Sequence, residues 1–170
     1  MDMAQITDLF ITGTGSEPMQ SVTEVHAVAD RGLRGDRYFN GTGYYSPYDV
    51  CQVTLIANEA IDAIDREFGF DLTAGEHRRN VVTEGIDVHD LLKHRFRVGD
   101  ALLEGTRPRP PCAHVEQLNE QEGVARALKD GRGGICADVV ESGRIGVGDS
   151  ISDIEAMDKT ASIIERLRSK

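Results

Sequence analysis

Apolar positions along this chain come in short clusters rather than long stripes, and glycine, aspartate or proline separates most of them. The clusters rich in β-branched residues predict strands over Ile6 to Thr12, Val22 to Ala29, Cys51 to Leu55, Asn80 to Val82, Phe96 to Val98 and Ala137 to Val140. Gly-Asp turns recur at Gly35-Asp36, Val98-Gly99-Asp100 and Val147-Gly148-Asp149. The last two each lead into a short apolar run, Ala101-Leu102-Leu103 and Ile151, which reads as a strand entered from a tight turn. This pattern predicts an α+β fold that is mostly β, a compact barrel or sandwich with a few peripheral helices.

Helical spacing appears in three places. Ile61, Ile64 and Phe68 share a face in a helix from about Glu59 to Phe68, capped by Asn58 and stopped by Gly69. A second helix is expected from about Glu120 to Lys129, with Asn119 and Glu122 as a capping box and Gly131 as its stop. A third covers roughly Ile154 to Leu167, where Ile154, Met157, Ala161, Ile164 and Leu167 recur on one face. That stripe reads as packing, with a partner-binding helix as the alternative. The organisation is one domain over residues 1–153 with a C-terminal helix, 154–170, lying on it. There is no internal repeat, low-complexity tract or long linker.

Composition narrows the class. At 170 residues, with 39% hydrophobic and 28% charged positions, the chain can bury a core and is not a disordered one. No apolar run approaches the length of a membrane span, and the N-terminal MDMAQITDLF lacks the basic and apolar regions of a secretory signal, so a cytoplasmic location is the expectation. The net charge of −10 opposes nucleic-acid binding. Three widely spaced cysteines, Cys51, Cys112 and Cys136, form neither a disulfide framework nor a zinc pattern.

The candidate chemistry gathers on a few segments. In Thr106-Arg107-Pro108-Arg109-Pro110-Pro111-Cys112-Ala113-His114-Val115, three of the five prolines stiffen the approach to a single thiol. Arg107 and Arg109 favour the thiolate, the form that attacks electrophiles and binds soft metals. If the segment is extended, His114 projects on the same side as Cys112 and could serve as a base or supporting donor. The plain alternative is a proline-rich surface loop followed by a small buried hydrophobe. Arg78-Arg79-Asn80 leads directly into a strand, where arginine can clamp an anion and asparagine can read an amide or pterin-like edge. Here the alternative is a solvated turn with ion pairs to Glu76 or Glu84. Asp30 to Tyr38 offers glycine turns and three arginines, among them Arg37, without a P-loop or dinucleotide fingerprint. Gly131 to Ala137 could approach a ligand or simply end a helix. Cys51 and Cys136 read as core, and His26, His89 and His94 as surface or turn residues.

Taken in order, GLRGDRY, VTLIANEAIDAI, RRNVVTEGIDVHDLL, FRVGDALLEGTRPRPPC and GRGGICADVVESGRIGVGD resemble a MOSC domain of the stand-alone type, similar to the C-terminal part of molybdenum-cofactor sulfurases, over about Ile6 to Ile151. The resemblance implies a β-barrel-like α+β fold. It implies that Cys112 is the family's hallmark cysteine, a molybdenum ligand in some relatives and a sulfur carrier in others. It also puts Arg78, Arg79 and Asn80 on the cofactor-facing side. The implied cofactor is the molybdenum cofactor, molybdopterin. Pyridoxal phosphate, used by the desulfurase domain fused to some relatives, is not expected in this chain. Many stand-alone members carry a second cysteine three residues before the hallmark one, and here that position is Arg109. This departure puts a two-thiol exchange in doubt and leaves a single-thiolate ligand open.

Molybdopterin carries an anionic phosphate, so an acidic chain needs local arginines to hold it, and Arg37, Arg78, Arg79, Arg107 and Arg109 are the candidates. The leading expectation is an oxidoreductase of N-hydroxylated or related small substrates, with Cys112 as the metal ligand and a separate electron-donor reductase as partner, because no flavin, haem or iron–sulfur motif is present. The rival is a sulfur carrier that takes sulfur from a donor as a Cys112 persulfide. A non-catalytic binding module is the third reading.

Overall fold

The structure, a computed structural model, describes residues 4–13, 18–40, 51–73, 75, 77–108 and 133–156. In chain order the elements are β1 (Gln5–Ile11), β2 (Gln20–Val22), β3 (Glu24–Val28), β4 (Gly32–Leu33), the short α1 (Arg37–Asn40), β5 (Val53–Ala57), α2 (Asn58–Phe68) and β6 (Val81–Glu84). A 3-10 turn (Val88–Leu91) follows, then β7 (His94–Val98), β8 (Ala101–Pro108), β9 (Ile135–Glu141), β10 (Gly143–Gly146) and β11 (Ile151–Ala156). The main sheet has the strand order β11-β7-β8-β9-β5-β6-β1-β2 and curls into a half-barrel. Among the described residues a second sheet, β10-β3-β4, accompanies it, and the fold is α+β and mostly β, as the sequence pattern predicts.

Within the main sheet β5 and β6 pair in parallel and α2 makes the connection between them, as a parallel pair requires a crossover. All five positions of β5, Val53-Thr54-Leu55-Ile56-Ala57, are buried, because both faces of the strand are covered. Val53, Leu55 and Ala57 join Leu9, Val81, Phe96, Leu103 and Ile135 in the half-barrel core. Ile56 faces the other way and packs with Phe10, Val82, Leu72 and the α2 residues Ile61 and Ile64.

Four expectations shift. Asn58 is the first helical residue rather than the cap; Ala57 holds the cap position with no side-chain bond. Gly69 ends α2 as expected, in the left-handed region at φ 74°, while Phe68 turns out to be 42% exposed and stacks on Phe70. The predicted strand from Val22 to Ala29 divides at Thr23 between β2 in the main sheet and β3 in the small one. Finally, β11 continues through Ile154 to Ala156, where a helix was expected to begin at Ile154. Ladder partners hold it there, Glu155 with Arg95 and Ala156 with His94, a long-range pairing that periodicity along one segment cannot register. Residues 157–170, the expected helix over 120–129 and the segment around Cys112 lie outside the described residues. No helix among the described residues is long and apolar enough to cross a membrane.

Candidate functional site

One register row organises the site. Pro108 pairs with Ile135, Ile135 with Leu55, and Leu55 with Val81. The row therefore joins, across four neighbouring strands, the point where the chain leaves β8, the point where it enters β9 and the point where it enters β6. The segment carrying Arg109, Cys112 and His114 is anchored on this row at both ends; those three residues themselves fall outside the described part.

Arg78, Arg79 and Asn80, at the entry to β6, are 6%, 3% and 0% exposed, which excludes the solvated-turn alternative. Arg78 sits at φ 65°, a left-handed conformation a non-glycine residue adopts only when its surroundings hold it. Its backbone N–H closes a turn onto the Gly75 carbonyl at 3.0 Å. Arg79 donates through Nε to the Gly133 carbonyl at 2.7 Å and through Nη1 to the His77 carbonyl at 3.1 Å. Because Gly133 lies two residues before Ile135, this guanidinium is fastened to the place where the chain returns to the sheet.

Arg37 joins from α1. It is 5% exposed, pairs with Asp36 at 3.2 Å and donates to the Arg78 carbonyl at 2.8 Å, with Met19 Sδ at 3.5 Å. Asp36 is fully buried, and its Oδ1 also accepts from the Thr12 backbone N–H and from Asn80 Nδ2, both at 3.1 Å. Removing one member of such a buried pair typically costs about 3–5 kcal/mol.

Asn80 is fully engaged by the protein. Its amide donates to the Phe10 carbonyl at 3.0 Å and to Asp36, and its oxygen accepts from the backbone N–H and the hydroxyl of Thr54, each at 3.0 Å. Both donors and both lone pairs are taken. The expectation that Asn80 reads a ligand edge thus gives way to a different role: it clamps β1, β5 and Asp36 together beneath the arginines.

His77, unremarked in the sequence, is the other buried member. Its Nδ1 accepts the Arg79 backbone N–H at 2.9 Å, and its ring meets Phe10 edge-on at 5.5 Å between centroids. Nε2 is buried with no hydrogen-bond partner among the described residues, a condition that typically costs about 1–3 kcal/mol. Burial, and secondarily the Arg79 guanidinium, push its pKa down to about 3, so the imidazole is neutral at neutral pH.

Arg107 lies on β8 opposite Cys136, partly exposed. The nearby Asp138 carboxyl is raised above its ordinary pKa by burial and then by Glu104 and Asp30, with Arg107 opposing. Cys51 and Cys136 are buried, as expected for core thiols. Among the described residues no group of three or more His, Cys, Asp or Glu side chains could hold a metal ion. The arrangement at the start of β6 is instead a donor set: guanidinium groups and a neutral imidazole, suited by chemistry to an anionic group such as a phosphate.

The sequence reading singled out Arg37, Arg78, Arg79 and Asn80, and the structure brings these four together. It missed Asp36, Thr54 and His77. Asp36 was visible only as a turn residue and Thr54 only as a strand residue. His77 stood beside the arginines in Gly75-Glu76-His77-Arg78-Arg79-Asn80, and that adjacency was the one available signal.

Comparison with known proteins agrees with this architecture. The YuaD protein from Bacillus subtilis has a similar structure, with a TM-score of 0.76 at 19% identity, covering 92% of this chain and 98% of that one. YiiM from Geobacillus stearothermophilus is similar with a TM-score of 0.67 at 17% identity, over 87% of this chain and 73% of that one. YiiM from Escherichia coli gives 0.64 at 20% identity, over 91% and 70%. At these identities the likeness is one of fold. No curated protein sequence matches this one. A family model, the MOSC domain, matches residues 44–152, which is more than half of the sequence and contains β5 to β10, the Arg78-Arg79-Asn80 entry to β6 and Cys112. The chain belongs to the MOSC domain family, which is associated in general with the molybdenum cofactor.

Proposed function

We propose that this protein binds the molybdenum cofactor through its buried arginines, with Cys112 as the thiolate ligand of the metal, and acts as an oxidoreductase of N-hydroxylated or related small substrates. The observation that carries the reading is the burial of Arg37, Arg78 and Arg79 around the entry to β6, with Arg79 tied to the Gly133 carbonyl beside the row that anchors the Cys112 segment. Guanidinium groups inside a protein pair with anions or carbonyls, as Arg37 does with Asp36 and Arg79 with the Gly133 and His77 carbonyls. Their concentration at one place in an otherwise acidic chain supports a site for an anion. The donor set fits the phosphate of a pterin cofactor.

Reach is compatible as well. Cys112 follows Pro108 by four residues, which span at most about 14 Å, and three strand spacings of about 4.8 Å separate Pro108 from Val81. Arg78, Arg79 and Arg107 would hold the anionic group, Arg37 and Asn80 would fix Arg78 and Asp36 in place, and Cys112 would supply a soft anionic sulfur. Bound there, the cofactor would provide the redox centre, and a separate reductase would deliver the electrons.

Metal analysis tests this. Protein made in a host competent in cofactor synthesis should contain about one molybdenum per chain, and Cys112→Ser should lose most of it, on the order of tenfold or more, as expected when a thiolate ligand is removed. A Cys112 persulfide with no molybdenum would sink the proposal and select sulfur transfer instead. A Cys112→Ala protein unchanged in every respect would select a non-catalytic binding module.

A further inference from the structure

We propose that His77 is a further ligand-contacting residue of this site, donating its Nε2–H to the oxyanion that the arginines hold. The inference rests on the reading above and extends it to a residue outside the arginine set.

One hydrogen bond fixes the tautomer of His77. A backbone N–H can only donate, so the Arg79 amide, 2.9 Å from His77 Nδ1, makes that nitrogen an acceptor. The ring hydrogen must then sit on Nε2. The ring cannot turn over to exchange the two nitrogens without breaking this bond, and Phe10 packs against it edge-on at 5.5 Å. Nε2–H is fully buried, yet it meets no acceptor among the described residues. Buried polar groups in folded proteins are almost always paired, and an exception of this kind marks a place where a ligand or water completes the bond. The group is one residue from Arg78 and two from Arg79, whose side chain returns to the His77 carbonyl at 3.1 Å.

The low imidazole basicity suits the role. With its pKa near 3, His77 donates a hydrogen bond without bringing a fourth positive charge among the guanidinium groups, and its donation is constant across the physiological pH range. The expected partner is an oxygen of a tetrahedral oxyanion, either the cofactor's phosphate or a molybdate-like group.

The test uses the full chain with orthophosphate and, separately, molybdate as probes. Nitrogen-15 NMR of the imidazole should show the Nε2–H tautomer, and its proton should move downfield as phosphate is added, following the dissociation constant measured by calorimetry. His77→Asn retains an acceptor for the Arg79 amide but removes the Nε2–H, so phosphate should bind it about tenfold more weakly while the Arg79 amide resonance stays in place. A shift with molybdate but not phosphate would move the contact to the metal's oxyanion and keep the inference. An Nε2 proton unmoved by both anions, with His77→Asn binding as tightly as wild type, would overturn it. If binding also falls with Arg79→Gln in that case, the arginine site stands and only the role of His77 fails. A wild-type protein that binds neither anion would overturn both. Should His77→Asn fail to fold, the wild-type proton shift alone decides.

Discussion

A neutral imidazole sealed from water couples stability to proton concentration at the scale of a single residue. In the unfolded chain His77 titrates near 6.5; in the folded protein it does so near 3. Between these values the unfolded state binds the additional proton, so stability rises with pH across that window. The contribution is fully present above pH 6.5 and is lost as pH falls toward 3, at up to about 1.4 kcal/mol per pH unit. Replacing the group with one that does not titrate should flatten the dependence. Urea unfolding of wild type and His77→Asn from pH 7 to pH 4 should give stability curves that diverge at the neutral end and converge as the solution becomes acidic; parallel curves would show that His77 is exposed or unshifted. The same residue shows what local sequence conceals. Glu76, His77, Arg78 and Arg79 in succession have the charge density of a surface turn, and only the long-range contacts of Arg79 with Gly133 and of Asn80 with Phe10 and Thr54 reveal His77 to Asn80 as interior. Arg37 was likewise one of three arginines in a glycine-rich stretch until Asp36 and the Arg78 carbonyl claimed it.

Strands and their close approaches decide whether those residues meet. Gly134 introduces β9 at φ 84°, and a Cβ there would lie 2.0 Å from the Leu55 carbonyl oxygen. The backbone of β5 is on the other side of that contact and has no room to yield, since every residue of β5 is buried. Gly134→Ala should therefore cost about 2–4 kcal/mol, from strain and displacement together, and a thermal melt reads it directly. Because Gly133 carries the carbonyl that holds Arg79, the same variant should also weaken phosphate binding, and a stable variant with unchanged affinity would separate the strand from the site. At this scale the sequence was informative where periodicity is local. The predicted β1, β5, β7, β8 and β9 overlap their observed positions, and Gly69 stops α2 as its position suggested. Where an element depends on a distant partner the reading failed: β4 and β10 are short and glycine-containing, and both exist through β3, which they flank. The end of β11 is set by β7 in the same way.

Over the whole molecule, an acidic chain places three arginines in its interior at one point of a curled sheet, while the excess of carboxylates gives it a net charge of −10. That contrast favours an anionic ligand taken into a specific receptor over one adsorbed on a basic surface. The family was legible from five ordered motifs before any contact was known, and those motifs fall on β4 to β10 and the turns between them. The most direct measurement is the molybdenum and pterin content of protein purified from a cofactor-competent host, wild type beside Arg79→Gln, with a thermal melt confirming that both are folded. The account predicts about one pterin and one molybdenum per wild-type chain, falling on the order of tenfold in the variant as a buried charge-assisted contact is lost. A folded wild-type protein that carries neither, or a folded variant that carries as much as wild type, would contradict it.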